Sequence, residues 1–209
     1  MNLIKSETRI TLATKITILR LLMTPVFVLI AIYYINSVRD GHADEKLRWI
    51  AAMVFLITCA TDALDGYIAR VCNDRTKLGT LLDPIADKVL LLSGLIVLTG
   101  SWGNCFNPHI PVWYVLLVIS RDLILTVGTV IIHMVHGQAE VKPRIVGKIA
   151  TFFQMGLILW VLFSWPPGSF EWILWMATAF TLVSMVLYLI DGVHQLEKGH
   201  THVVSPPAT

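Results

Sequence analysis

Apolar runs long enough to cross a bilayer recur along this chain, separated by short polar breaks. They cover roughly residues 16–36, 48–71, 78–101, 111–136, 145–165 and 170–192. Each is close to or beyond the ~20 residues that a helix needs to cross hydrocarbon. The breaks carry turn chemistry. Ser37 to Lys46 is polar around Gly41, and Asn73, Asp74 and Arg75 make a tight polar turn. Gly103, Asn104, Pro108 and Pro111 break the third connection, Gly137 and Pro143 the fourth, and Pro166, Pro167 and Gly168 the fifth. Ahead of the first run, Leu3, Ile4, Ile10 and Leu12 stand against Lys5, Glu7 and Arg9. That is the pattern of a short amphipathic helix lying in the interface over residues 1–13, or else of a frayed tail. Gly199 to Thr209 reads as a disordered tail. The expected fold is an all-α integral membrane protein, with six transmembrane helices preceded by a short interfacial amphipathic helix. One domain, residues 1–198, holds them all.

Composition supports this reading. Of 209 residues 56% are hydrophobic and 14% charged, and the mean hydropathy is +0.71. A soluble domain carries about 25% charged residues. The first apolar run lacks a small-residue cleavage site, so a retained helix is expected rather than a signal peptide. Cys59, Cys72 and Cys105 lie far apart with no CxxC, which points to free thiols and away from a disulfide framework or a zinc site. No nucleic-acid-binding motif is present. Trp49, Trp102, Trp113, Trp165 and Trp172 fall near the ends of runs, as interfacial anchors do.

A net charge of +2 says little, but its distribution sets an orientation. Lys5, Arg9, Lys15, Arg20, Arg70, Arg75, Lys77, Lys142, Arg144, Lys148 and Lys198 fall on one side, and only Arg39, Lys46 and Arg48 on the other. The positive-inside rule then places both termini in the cytoplasm and the protein in the cell (inner) membrane. The connection between the second and third runs is cytoplasmic too, within reach of a cytosolic nucleotide derivative.

That connection is flanked by carboxylates that an apolar chain should not carry. Asp62 and Asp65 are three apart, and Asp83 and Asp87 four apart, the two spacings that share a helix face. An ionisable group within a membrane is costly, so it is a functional-site hypothesis by default. Four carboxylates converging across a helical hairpin would balance two divalent cations, and oxygen ligands suit Mg²⁺, Mn²⁺ or Ca²⁺ rather than zinc. Two such ions clamp a phosphoryl group in transfer. Gly66, Ala69 and Gly79 remove side-chain bulk where a nucleotide could approach a backbone, and Arg70 offers a fork for phosphate oxygens. Spacing alone leaves three readings open: a metal-dependent enzyme, a cation transporter, or buried structural pairing.

Asp62, Asp65, Gly66, Ala69, Arg70, Gly79, Asp83 and Asp87 together match the signature of the CDP-alcohol phosphotransferase family, which the chain resembles over essentially its whole length. The resemblance implies an enzyme that moves a phosphatidyl-type group from a CDP-linked lipid such as CDP-diacylglycerol to an alcohol, releasing CMP. It also implies two divalent cations, a homodimer, and an amphipathic helix on the cytoplasmic face. Carried over by position, Asp62, Asp65 and Asp83 are expected to hold the ions. Asp87 is expected to stand beside them and take the proton of the attacking hydroxyl. Gly66, Ala69, Arg70, Thr76 and Gly79 are expected to line the CDP pocket.

The acceptor is read from polar residues further on. Arg121, with Asp122, lies about ten residues into the fourth run, where a charge demands a partner or a ligand. Lys148 opens the fifth run in the pattern Gly147, Lys148, Thr151, Gln154, with Lys142 and Arg144 just before it. Arg121, Arg144 and Lys148 could form a cationic pocket for an acceptor phosphate. An ion pair for Arg121, and positive-inside anchoring for Lys142 and Arg144, are the plainer alternatives. These features resemble the phosphatidylglycerophosphate synthase branch of the family, whose acceptor is glycerol 3-phosphate. Asp122 in place of the usual Glu departs from that branch. Lys142 and Pro143 resemble the cardiolipin synthase branch, whose acceptor is phosphatidylglycerol.

Overall fold

In the computed structural model the described residues form six long helices: α1 (Leu12–Arg39), α2 (Glu45–Cys72), α3 (Lys77–Val97), α4 (Val112–His136), α5 (Ile145–Leu162) and α6 (Phe170–Thr201). The structure describes residues 12–72, 77–99, 105–136 and 145–201, with side chains described for 16–61, 85–99, 105–130, 134 and 145–192. The interfacial helix expected over residues 1–13 lies outside the described residues, except that Leu12 and Ala13 already belong to α1. Most of the expected tail also lies outside them. Among the described residues there is no strand, only an isolated bridge between Thr99 and Ile110.

α1, α4, α5 and α6 are each long and apolar enough to cross a membrane. Their outer surfaces are apolar, with Leu22 59% and Phe152 72% exposed, a surface that a water-soluble monomer could not tolerate. Polar side chains turn inward instead: Thr17, Arg20, Thr24, Thr58, Arg121, Gln154, Thr178, Thr181 and Ser184 are all buried. This is a multi-pass membrane protein. Within hydrocarbon a hydroxyl has no water to bond, so it turns back on its own helix. Thr24 donates to the carbonyl of Arg20 at 3.0 Å, Thr178 to Leu174 at 2.8 Å and Thr181 to Ala177 at 2.7 Å.

Hydrophobicity located the helices better than their ends. α6 runs to Thr201, past the expected 192, because an apolar run marks the end of hydrocarbon while helix-forming residues such as Gln195, Leu196 and Glu197 continue into the polar zone. α3 stops at Val97 rather than 101, where the chain leaves the helix and the N–H of Ile110 donates to the carbonyl of Leu98 at 3.1 Å. α5 stops at Leu162 rather than 165, because Ser164 takes a positive φ of 52° and the N–H of Trp165 donates back to Trp160 at 3.2 Å. α1 ends in the same way: Gly41 has φ 80°, the N–H of His42 donates to Ser37 at 3.0 Å, and that of Gly41 to Val38 at 3.1 Å. Asp44 then caps α2 by accepting the N–H of Lys46 at Oδ1, 3.1 Å away.

The helices pack as two groups of three. α1 lies along α2 and α3, and α6 lies along α4 and α5. The groups meet where α3 touches α4 and α5, and where α2 touches α5. Phe27 and Phe55 pack 5.3 Å apart in the first group. Gly94 fixes the seam between groups: a Cβ there would stand 3.0 Å from Cδ1 of Ile158 and 3.4 Å from the Phe55 ring, so α3 approaches α5 closely. The starts of α2, α4 and α6 and the turn after α5 carry Trp49, Trp113, Trp172 and Trp165, all exposed, as an aromatic belt requires. Trp102 lies outside the described residues.

Candidate active site

A cavity of about 180 Å³ opens at the seam, lined by α3 (Asp87, Lys88), α4 (Arg121, Asp122) and α5 (Thr151, Gln154), with Leu91, Leu92 and Val118 as its apolar wall. It is many times the roughly 15 Å³ that a single water needs. Asp87 and Arg121, which lie 34 positions apart in sequence, therefore face one space.

Asp87 sits about halfway along α3, its side chain 40% accessible. Behind it stands Arg20 of α1, 2% exposed, with Nη1 3.9 Å from Oδ1 of Asp87. From the sequence Arg20 reads only as a topological charge. Its position four residues inside the first apolar run was the available signal for a buried role.

Arg121 is 7% exposed and held on two sides. Nη1 donates to Oδ1 of Asp122 at 3.0 Å and Nη2 to Oγ of Ser184, on α6, at 3.1 Å; Nε is buried with no hydrogen-bond partner among the described residues. On insertion scales an arginine at mid-membrane costs about 2.5–3.5 kcal/mol, which these bonds offset. The ion pair with Asp122 is thus present, and Arg121 lines the cavity as well. Gly147 makes room for the guanidinium: a Cβ there would lie 3.2 Å from Nη2 and 3.5 Å from Oγ of Ser184. Asp122 also reaches Lys88, whose Nζ lies 4.0 Å from Oδ2 and donates to Oγ1 of Thr126 at 3.3 Å. One carboxylate thereby holds two cations, Arg121 and Lys88, on one side of the space. Neither Lys88 nor Ser184 was assigned a site role from sequence. Lys88 had its place in a charged cluster as a signal, whereas Ser184 had none.

The two hydroxyl and amide groups of α5 differ. Thr151 donates to the carbonyl of Gly147 at 3.0 Å. Gln154 is 3% exposed, and its Nε2 has no hydrogen-bond partner among the described residues. A buried amide left unsatisfied costs about 1–3 kcal/mol.

The remaining expected site residues fall in three groups. Asp62, Asp65, Gly66, Ala69 and Arg70 lie on α2, and Gly79 and Asp83 on α3, but their side chains are outside the described ones. Thr76 and Arg144 lie wholly outside the described residues. Lys148 is exposed at the start of α5 and does not line the cavity, although its neighbour Gly147 touches Arg121. Among the described residues no three His, Cys, Asp or Glu side chains form a cluster suited to a metal ion.

Residues 10–183 match the family described as CDP-alcohol phosphatidyltransferase. The CDP-diacylglycerol–glycerol-3-phosphate 3-phosphatidyltransferase of Bacillus subtilis (strain 168) is 33% identical over 184 residues, covering 83% of this chain and 90% of the relative. Proteins of the same name from Shigella flexneri serotype 5b (strain 8401) and Escherichia coli (strain K12) are each 29% identical over 180 residues, covering 84% of this chain and 87% of theirs. The chain belongs to the CDP-alcohol phosphatidyltransferase family and is an enzyme of that class.

Proposed function

We propose that the enzyme transfers the phosphatidyl group of CDP-diacylglycerol to glycerol 3-phosphate with the help of two divalent cations, releasing CMP. The observation that carries this reading is the shared cavity: a carboxylate able to take a proton and an arginine able to bind a phosphate line one small space. The names of the relatives supply the same pair of substrates.

Asp62, Asp65, Asp83 and Asp87 form an all-oxygen donor set, which fits Mg²⁺ or Mn²⁺. When bound, the ions would neutralise the diphosphate of the donor. Gly66, Ala69, Arg70, Thr76 and Gly79 take the CDP group. Arg121 takes the acceptor phosphate, and Arg144 and Lys148 add positive charge at the start of α5. Asp87 removes the proton of the primary hydroxyl of glycerol 3-phosphate. That oxygen forms a bond to the lipid-linked phosphorus, the bond from this phosphorus to the CMP oxygen breaks, and CMP leaves. The proton on Asp87 passes to water before the next turnover.

The reading extends to topology. α2 and α3 join the four apolar helices as spans, and residues 1–13 lie in the interface. Both termini and the Asp-bearing ends of α2 and α3 face the cytoplasm of the inner membrane, and two copies pair. Residues 1–198 act as one unit. An acceptor panel on purified enzyme tests the chemistry. Labelled glycerol 3-phosphate should be incorporated in the presence of Mg²⁺ or Mn²⁺ and not after chelation. Transfer to phosphatidylglycerol but not to glycerol 3-phosphate, or incorporation that survives chelation, would overturn it.

A further inference from the structure

The polar groups of the cavity can be matched one by one to what a small phosphorylated alcohol offers. Arg121 and Lys88 are cations suited to its phosphate, and Asp87 is suited to its reacting hydroxyl. Asp122 is occupied in holding the two cations, at 3.0 Å and 4.0 Å. Thr151 donates to its own helix at 3.0 Å. Gln154 remains. It is 3% exposed and lines the same space, and its Nε2 has no hydrogen-bond partner among the described residues.

A carboxamide carries both a donor and an acceptor. A phosphate, which only accepts, would use the donor and leave the carbonyl oxygen facing another acceptor, whereas a neutral hydroxyl can use both. Glycerol 3-phosphate has one such group left over, the hydroxyl on its middle carbon. We propose that Gln154 binds this non-reacting secondary hydroxyl and so makes the enzyme specific for a vicinal diol phosphate. Gln154 is then a specificity-determining residue rather than part of the proton transfer. The assignment rests on glycerol 3-phosphate being the acceptor.

The discriminating compound is 3-hydroxypropyl phosphate, which keeps the phosphate and the primary hydroxyl and lacks the secondary one. A site built to hydrogen-bond a hydroxyl rejects the analogue that lacks it, because the buried partner is left bare. The wild-type enzyme should favour glycerol 3-phosphate over this analogue by about 100-fold or more in kcat/KM. Gln154→Met, which preserves length and removes the amide, should narrow that preference to within about threefold. The loss should fall on glycerol 3-phosphate alone, with the KM for CDP-diacylglycerol unmoved. Equal losses with both acceptors would mean that Gln154 only packs, and would overturn the assignment. So would a wild-type enzyme that uses the two acceptors alike, a result that needs no variant. A wild-type enzyme that uses neither compound and accepts phosphatidylglycerol would instead refute the acceptor reading beneath it.

Discussion

The two groups of helices bring different chemistry to the seam. α1–α3 present a carboxylate, Asp87, backed by a buried arginine. α4–α6 present a guanidinium and an amide: Arg121, anchored to Ser184 on α6, and Gln154 on α5. The first group also carries the signature aspartates in one stretch of 26 positions, Asp62 to Asp87. The second assembles its part from three helices. Under the proposed function the contrast becomes a division of labour, in which the first half would hold the donor and perform the transfer while the second would choose what receives it.

The division can be broken most sharply at Asp87. Asp87→Asn keeps the size of the side chain and removes its ability to take a proton. In the proposed role, kcat should fall by about 10²–10⁴-fold with glycerol 3-phosphate or any alternative acceptor. Initial-rate assays on enzyme of matched folding decide this, and near-wild-type kcat would remove Asp87 from the chemistry.

A second, smaller effect belongs to the other half. Arg121→Met should raise the KM for the phosphorylated acceptor by roughly 10–100-fold, as expected for a charge-assisted bond of about 1.5–3 kcal/mol. The KM for CDP-diacylglycerol should stay within about twofold. A matching rise for the lipid donor would show that the halves do not divide the substrates.

The mildest probe is Gly147→Ala. The added Cβ would stand 3.2 Å from Nη2 of Arg121, close enough to push the guanidinium by a few tenths of an ångström without unfolding α5. The acceptor KM should rise by about threefold to tenfold, within what a weakened bond of about 1 kcal/mol produces. An unchanged acceptor KM would mean that the position of Arg121 is not critical.

What was legible in the sequence is what lies along one stretch of chain; what joins separate helices was not. Six helices can be read from hydropathy because each apolar run is continuous, and the signature can be read because its residues are helix neighbours at spacings of three and four. Arg121 was singled out because charge inside an apolar run is conspicuous. The contact of Arg20 with Asp87 was not legible, because it joins α1 to α3 across 67 positions and depends on how those helices pack. Ser184 was not legible for a related reason: a serine in an apolar helix is unremarkable until α6 is placed against α4. Gln154 had been noted as part of a motif, but only the cavity gave its amide something to face.

The tryptophans carry a practical consequence. The six among the described residues, Trp49, Trp113, Trp160, Trp165, Trp172 and Trp175, all lie toward the helix ends away from the signature aspartates. The emission of these six therefore watches the other end of the molecule. Titration with acceptor should leave it flat, while quenchers placed at graded depths in the lipid should report how that end is seated. A single tryptophan introduced at Ile85, exposed and two positions before Asp87, would give the silent half a signal of its own.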